Sequence, residues 1–332
     1  MTNNNKSALQ VSGLSTSFDI GGKPLKAVDD VSFVVEQGEV LGIVGESGSG
    51  KSITLRSILG LARRYGTVSG SVKWQDQELV TMPEKELRKI RGKEIAMIFQ
   101  EPMSSLNPLL TVGLQIGENL SAHTDLDKPA RLARSIELLE KVGIPDAANR
   151  LDDFPHQFSG GMRQRVMIAI ALASNPKLLL ADEPTTALDV TIQKQILKLI
   201  TDLSSELGMS VILVTHDLGV AAQTCNRLAV MYGGKLVETG DTKSVISNPQ
   251  HRYTEGLLRS VPENVEPRTQ LYSLPGTPPS LANLPIGCAF APRCAHATSD
   301  CEAGKPALVG EAHKVACFNA ATPVQARPGV AL

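Results

Sequence analysis

The chain has 332 residues, 33 Lys and Arg against 34 Asp and Glu, and a formal net charge of −1. That balance lacks the concentrated basic face of a nucleic-acid binder, so no nucleic-acid partner is expected. The polar start Met1–Ser7 has no apolar signal core, and no apolar run approaches the roughly 18 residues that a bilayer span needs. Any membrane association is therefore expected to be peripheral.

Residues 8–44 read as short alternating strands, among them Leu9-Gln10-Val11 and Val31–Val35, with a turn at Gln37-Gly38-Glu39. The apolar run Val40–Val44 feeds Gly45-Glu46-Ser47-Gly48-Ser49-Gly50-Lys51-Ser52, and Ile53–Leu59 continues as a helix. This strand, Gly-x4-Gly-Lys-Ser loop and helix form the signature of a phosphate-binding loop. Glycines let successive backbone N–H groups turn inward on a polyphosphate, and the helix N-terminus adds partial positive charge. Lys51 is expected on the β- and γ-phosphates and the Ser52 hydroxyl on Mg²⁺. The chain is thus expected to bind a nucleoside triphosphate.

A short charged helix and the strand Ile95–Phe99 follow within 84–100. Residues 101–160 change character: Pro102, Asn107-Pro108 and Pro129 interrupt helical patterns, of which Ala130–Val142 is the clearest. From 162 to 245 helices and strands alternate: helix 163–173, strand 178–182, helix 189–207, strand 211–215 and a last pair near 228–238. Such alternation implies a mostly parallel sheet covered on both faces. Leu178–Ala181 ends in Asp182 and Glu183, adjacent carboxylates on a buried strand. Asp182 is expected to hold Mg²⁺ and Glu183 to polarise an attacking water. Ser159-Gly160-Gly161 before a helix is a second anion-binding N-terminus, suited to a nucleotide bound mainly by another subunit. Alone, Ser-Gly-Gly often merely caps a helix.

The order phosphate loop, Gln100, Ser-Gly-Gly, Asp-Glu and His216 resembles the ATP-binding cassette (ABC) ATPases over about residues 8–245. The resemblance implies an α/β fold: a P-loop NTPase core with an antiparallel β subdomain, an α-helical subdomain and a small C-terminal extension. It also implies that Gln100 senses Mg²⁺ and the lytic water, that His216 contacts the γ-phosphate and that Phe18 stacks on adenine. By the same resemblance, Thr186-Ala187-Leu188-Asp189 crosses to the opposing subunit. The family signature is usually Leu-Ser-Gly-Gly-Gln; here it reads Phe158-Ser-Gly-Gly-Met162.

Three stretches sharpen the likeness: the phosphate loop, Phe99–Pro108, and His251-Arg252-Tyr253-Thr254, with Arg252 in place of the usual proline. They are similar to ATPase subunits of bacterial dipeptide and oligopeptide permeases, whose extension also matches through Gly287-Cys288, Pro292-Arg293-Cys294, Cys301, Pro306 and Cys317. The expected boundaries are a cassette over 8–247 (helical subdomain about 101–160), an extension over 248–320 and a tail over 321–332. The resemblance implies a peripheral subunit on the cytoplasmic face of the bacterial inner membrane. Its partners would be a second ABC ATPase, related or identical, two integral permease subunits and an extracytoplasmic solute-binding protein. It would energise uptake of dipeptides or oligopeptides. The alternatives are same-family import of nickel, opine or sugar-derived solutes, or a non-transport ABC ATPase.

The proline-rich connector begins near 248 and carries Pro249, Pro262, Pro267, Pro275, Pro278, Pro279 and Pro285. Beyond it lie Cys288, Cys294, Cys301 and Cys317, while Cys225 stands apart as an expected buried thiol in the helix after His216. Four clustered cysteines in a reducing compartment favour a thiolate metal site over disulfides. Zinc, free thiols and disulfides remain open on spacing alone; the resemblance points to a [4Fe–4S] cluster that staples the extension.

Overall fold

The structure, a computed structural model, describes residues 7–101, 105–186, 188–261 and 272–321. Pro102, Met103, Ser104 and Ala187 of the motifs, Pro262 and Pro267 of the connector, and residues 322–332 of the tail lie outside them. The strands are β1 (Ser7–Ile20), β2 (Lys23–Glu36), β3 (Val40–Val44), β4 (Thr67–Trp74), β5 (Gln77–Glu78) and β6 (Ile95–Ile98). They continue with β7 (Leu178–Asp182), β8 (Ser210–Thr215), β9 (Arg227–Tyr232), β10 (Lys235–Asp241) and β11 (Lys314–Val315).

The chain divides into two compact units. One comprises Met1–Ala8, Glu36–Glu39 and Thr81–Ile212; the other comprises Leu9–Val35, Val40–Val80 and Leu213–Leu332. The 101–160 region falls in the first and residues 248–320 in the second.

In the first unit β7 lies between β6 and the start of β8. β6 and β7 run parallel, with Ile95 opposite Leu178 and Ile98 opposite Ala181. Every residue of β7 is buried, the unbroken apolar pattern of a strand covered on both faces. The helix Gly160–Leu172 packs on β6 and against the helices Val112–His123 and Lys128–Lys141. Those two start where caps permit: the Thr111 hydroxyl accepts from Leu114 N–H. Asp127 does the same for Ala130 N–H, with Pro129 in the first turn. Their buried stripes, Val112, Ile116 and Leu120 on one and Leu138 and Leu139 on the other, follow helical spacing.

The second unit contains two strand systems. β11, β10, β9 and β3 are neighbours in that order; β3 and β9 are parallel, with Leu41 opposite Arg227. β2, β1, β4 and β5 form an antiparallel sheet in that order. β1 pairs with β4 through Leu9 opposite Trp74 and Val11 opposite Val72, with a bulge between Ser12 and Ser15. Val31, Phe33 and Val35 are buried between exposed Ser32 and half-buried Val34, the alternation of a sheet with one packed face.

Three expectations are corrected. β1 and β2 are long strands of 14 residues each, not short ones. β4 arises where no element was specified. The last strands are antiparallel: β10 pairs antiparallel with both β9 and β11. A two-residue hairpin link forces this, because Gly233 and Gly234 both take positive φ, 56° and 80°.

Candidate functional site

Two glycines set the backbone of the Gly45–Ser52 loop. Gly45 has φ 154°, and a Cβ there would stand 2.3 Å from the Met231 carbonyl oxygen. Gly50 has φ 103°, and its Cβ would meet the Ala27 carbonyl oxygen at 2.5 Å. Only glycine fits both positions. The helix Lys51–Ile58 then starts from Gly50 with no side-chain cap. Lys51 is buried, and its Nζ donates to the carbonyls of Gly45 at 2.7 Å and Glu46 at 3.0 Å. The Ser49 hydroxyl is buried without a hydrogen-bond partner among the described residues. A side-chain-free cradle with an orphaned hydroxyl suits an anionic, oxygen-rich ligand such as a polyphosphate.

The same unit carries Phe18 and His216. Phe18 is half-buried, and a Cβ at Gly66 would lie 2.7 Å from its ring. His216 is exposed just past β8, ahead of the helix Leu218–Thr224 that Asp217 caps.

In the first unit, Asp182 ends β7 fully buried. Glu183 follows with φ 45°, a left-handed conformation unusual for a side-chain-bearing residue. Its Oε2 accepts from Gln100 Nε2 at 3.3 Å and Thr186 Oγ1 at 2.9 Å. Two side chains from separate turns thus hold one carboxylate, as a group aimed at a reacting water needs.

Ser159 and Gly160 are exposed at the start of the helix Gly160–Leu172. The Ser159 hydroxyl accepts from Met162 N–H at 3.3 Å. A Cβ on Gly161 would meet Ile192 Cγ2 at 2.8 Å, whereas one on Gly160 would meet only Leu188 Cδ2 at 3.7 Å. Phe158 of the signature is buried, with the Arg150 guanidinium 5.8 Å from its ring centre. Asp189, expected in a crossing loop, caps the helix Val190–Leu207 by accepting from Ile192 N–H at 3.0 Å.

Cys288, Cys294, Cys301 and Cys317 line one cavity together with His251 and Phe290. As arranged, that cavity measures about 10 Å³, room for a single water. No group of three or more His, Cys, Asp or Glu side chains among the described residues is placed to hold a metal ion. The donors are right in kind and number for a four-thiolate centre, but in this arrangement they do not fit a cubane cluster. Burial raises the thiols of Cys288, Cys294 and Cys317 above the usual range and holds His251 at about 4. The cavity therefore favours neutral groups.

The extension is also secured by contacts that need no metal. β11 joins β10 with Val315 opposite Glu238. Buried Glu238 accepts from Gln250 N–H at 2.7 Å and His251 N–H at 3.0 Å, and its Oε1 pairs with His313 Nε2 at 2.7 Å. Cys225 lies one residue past the helix Leu218–Thr224 rather than within it, and burial pushes its thiol up to about 12.

The sequence reading missed the side chains that reach the phosphate loop from the extension. The Tyr253 hydroxyl accepts from Glu46 N–H at 2.8 Å, and Arg293 pairs with the Glu46 carboxylate. In the sequence, Tyr253 and Arg293 stand out only as parts of the stretches that carry the family resemblance. No local signal joins positions 247 residues apart.

The family described as ABC transporter matches residues 28–186. The one described as oligopeptide/dipeptide transporter, C-terminal region, matches 237–301. A dipeptide transport ATP-binding protein, DppD of Escherichia coli K12, is 50% identical over 90% of this chain and 92% of its own length. DppD of Haemophilus influenzae is 51% identical over 90% and 91%. Among solved structures, the dimeric post-hydrolysis state of the ATP-binding cassette MJ0796, bound to ADP and Pi, superposes with a TM-score of 0.64. It shares 31% identity and covers 70% of this chain and 98% of that one.

Proposed function

The chain belongs to the ABC transporter family of ATP-binding subunits, and on that premise we propose that it energises import of dipeptides or oligopeptides across the bacterial inner membrane. It is an ATPase of a permease-associated complex. The observation that carries the ATP-binding part is the Gly45–Ser52 loop, with no room for side chains at Gly45 or Gly50 and a buried Ser49 hydroxyl that has no hydrogen-bond partner among the described residues. The peptide part rests on the match to the oligopeptide/dipeptide C-terminal region and on the relatives' names.

In this reading the backbone of Gly45, Glu46, Ser47, Gly48, Ser49 and Gly50 cradles the phosphates, Lys51 neutralises the β- and γ-groups, and Phe18 stacks on the base. Ser52, Gln100 and Asp182 would hold Mg²⁺, which supplies charge neutralisation on the transferred phosphoryl group. Glu183 takes the proton from the attacking water; its contacts with Gln100 and Thr186 orient it for that task. His216 donates to the γ-phosphate. Ser159 and Gly160, both exposed, and half-buried Gly161 complete the site of a second ATPase subunit, related or identical. That pair works with two integral permease subunits and an extracytoplasmic solute-binding protein. No helix among the described residues is long and apolar enough to cross a membrane; the peripheral position on the cytoplasmic face rests on the likeness to importer ATP-binding subunits. The proposed boundaries are a cassette over 8–247, its helical part about 101–160, an extension over 248–320 and a tail over 321–332.

The test is uptake of labelled dipeptide by the assembled transporter in proteoliposomes. Uptake that requires ATP and is lost with Lys51→Ala is expected. ATP hydrolysis indifferent to dipeptide-loaded binding protein overturns the peptide part and leaves the ATPase standing. A four-thiolate centre at Cys288, Cys294, Cys301 and Cys317, iron–sulfur by the resemblance, completes the proposal. It is supported by the four residues sharing one cavity and requires that cavity to rearrange. Anaerobically purified protein is then brown, with about four iron atoms per chain; absence of iron overturns it.

A further inference from the structure

The phosphate loop is held from a part of the chain that the ATPase chemistry does not use. Arg293 follows Ala291 and Pro292 in a single 3₁₀ turn and is only 4% exposed in its side chain. Its guanidinium grips the Glu46 carboxylate in a two-pronged pair, Nη1 to Oε2 at 2.7 Å and Nη2 to Oε1 at 3.1 Å. Two further donors are committed as well. Nε donates to the Pro275 carbonyl at 2.8 Å, and Nη1 also donates to the Tyr232 hydroxyl at 3.2 Å. The Tyr232 and Phe290 rings flank it, each with its centre 5.9 Å from the guanidinium carbon.

Glu46 is the second residue of the loop, and it is fixed at three points. Arg293 holds its carboxylate, the Tyr253 hydroxyl accepts its N–H, and its carbonyl accepts from Lys51 Nζ. Tyr253 is itself packed against Tyr232 and Phe290, with ring centres 4.6 Å and 5.4 Å away. On the side facing the extension, Glu46–Ser49 and Pro278–Leu281 line a cavity of about 340 Å³.

We infer that Arg293 is a positioning residue of the phosphate loop: by clamping Glu46 it fixes the backbone that cradles the phosphates and the carbonyls on which Lys51 rests. Nucleotide affinity is thereby tied to the cysteine-bearing extension. A planar, bidentate, largely dehydrated guanidinium–carboxylate pair has the geometry for this, and a lysine does not reproduce it. If Arg293 merely fastened the extension to its neighbours, its loss would lower stability and leave affinity alone.

The inference rests on the reading of Gly45–Ser52 as the ATP site, and the test separates the two. Affinity for a non-hydrolysed ATP analogue with Mg²⁺ is measured by calorimetry on the full-length chain, with thermal melts alongside. The variants are Arg293→Ala, Arg293→Lys, Glu46→Gln, Arg293→Ala with Glu46→Gln, and Lys51→Ala. Arg293→Ala and Glu46→Gln each weaken binding about tenfold, and the double variant is no weaker than either single one, because one coupled pair is lost. Arg293→Lys recovers part of the loss. If Arg293→Ala does not fold, Glu46→Gln and Arg293→Lys carry the decision, since both preserve volume. Affinity within about twofold of the unsubstituted protein in Glu46→Gln, or additive losses in the double variant, overturns the inference. A loss with Lys51→Ala but none with Arg293→Ala or Glu46→Gln overturns this inference alone. Unchanged affinity in Lys51→Ala overturns it together with the ATP-site reading.

Discussion

Two helix N-termini of the chain are candidate phosphate sites, and they are built in opposite ways. The helix after Gly50 has no side-chain cap, and its loop takes positive-φ glycines where a Cβ would strike backbone. Lys51 is sunk beneath it and Glu46 is tied to side chains more than two hundred residues away. The helix after Ser159 is capped by its own serine, exposes Ser159 and Gly160, and has ordinary space at Gly160. The first is rigidly supported and equipped with a cation, so one chain can hold a polyphosphate there. The second is a polar tip anchored by buried Phe158. It has a short list of donors and suits a ligand already held by another surface.

Substitutions can break this contrast. Glu183→Gln has the largest expected effect: it separates holding from hydrolysing. ATP turnover in the assembled complex falls by roughly 10²–10⁴-fold, while analogue binding to the first loop is retained. Phosphate release and calorimetry on the same preparation measure both, and a variant with near-normal turnover removes Glu183 from the mechanism.

Next, Gly45→Ala strains a backbone that cannot move without shifting β9, and it costs about 1–3 kcal/mol of stability. Denaturant melts give the loss, and analogue affinity falls with it. A melt unchanged by this substitution means that the loop is not the rigid element described here.

Ser159→Ala removes a cap rather than a cradle. A loss of about 1 kcal/mol in denaturant melts is expected, together with reduced turnover and unaltered analogue affinity of the isolated chain. Weakened binding by the isolated chain would show that the second N-terminus does not depend on a partner.

Gly160→Ala has the smallest effect on folding, within about 0.5 kcal/mol, because the added methyl meets only Leu188 at an ordinary distance. Turnover still falls in the assembled complex, where backbone approach to a phosphate matters. A melt shifted as far as that of Gly45→Ala erases the difference between the two sites.

The residues themselves announce the chemistry that is local. A Gly-x4-Gly-Lys-Ser loop between an apolar strand and a helix, and two carboxylates ending a buried strand, are contiguous patterns, and each appears in the structure at the expected strand end. The start of the helix after Ser159 was legible for the same reason: its hydroxyl accepts from backbone three residues on. Long pairings were not. β4 carries Gly70 and polar residues in a run without strong alternation, and it forms because β1 lies beside it in register. Nothing in Pro292-Arg293-Cys294 points toward Glu46.

Sequence alone determined the nucleotide loop, the acidic strand end, the alternation of helices and strands over 162–215 and the cysteine count, because each depends on neighbours within a few residues. Tertiary structure alone decided that Gln100 and Thr186 hold Glu183, that Tyr253 and Arg293 hold Glu46, and that the four cysteines share a cavity without forming a metal site as they stand. These are matters of distance between remote segments. They are settled by which faces pack and which buried charges find partners, and no spacing along the chain encodes them directly.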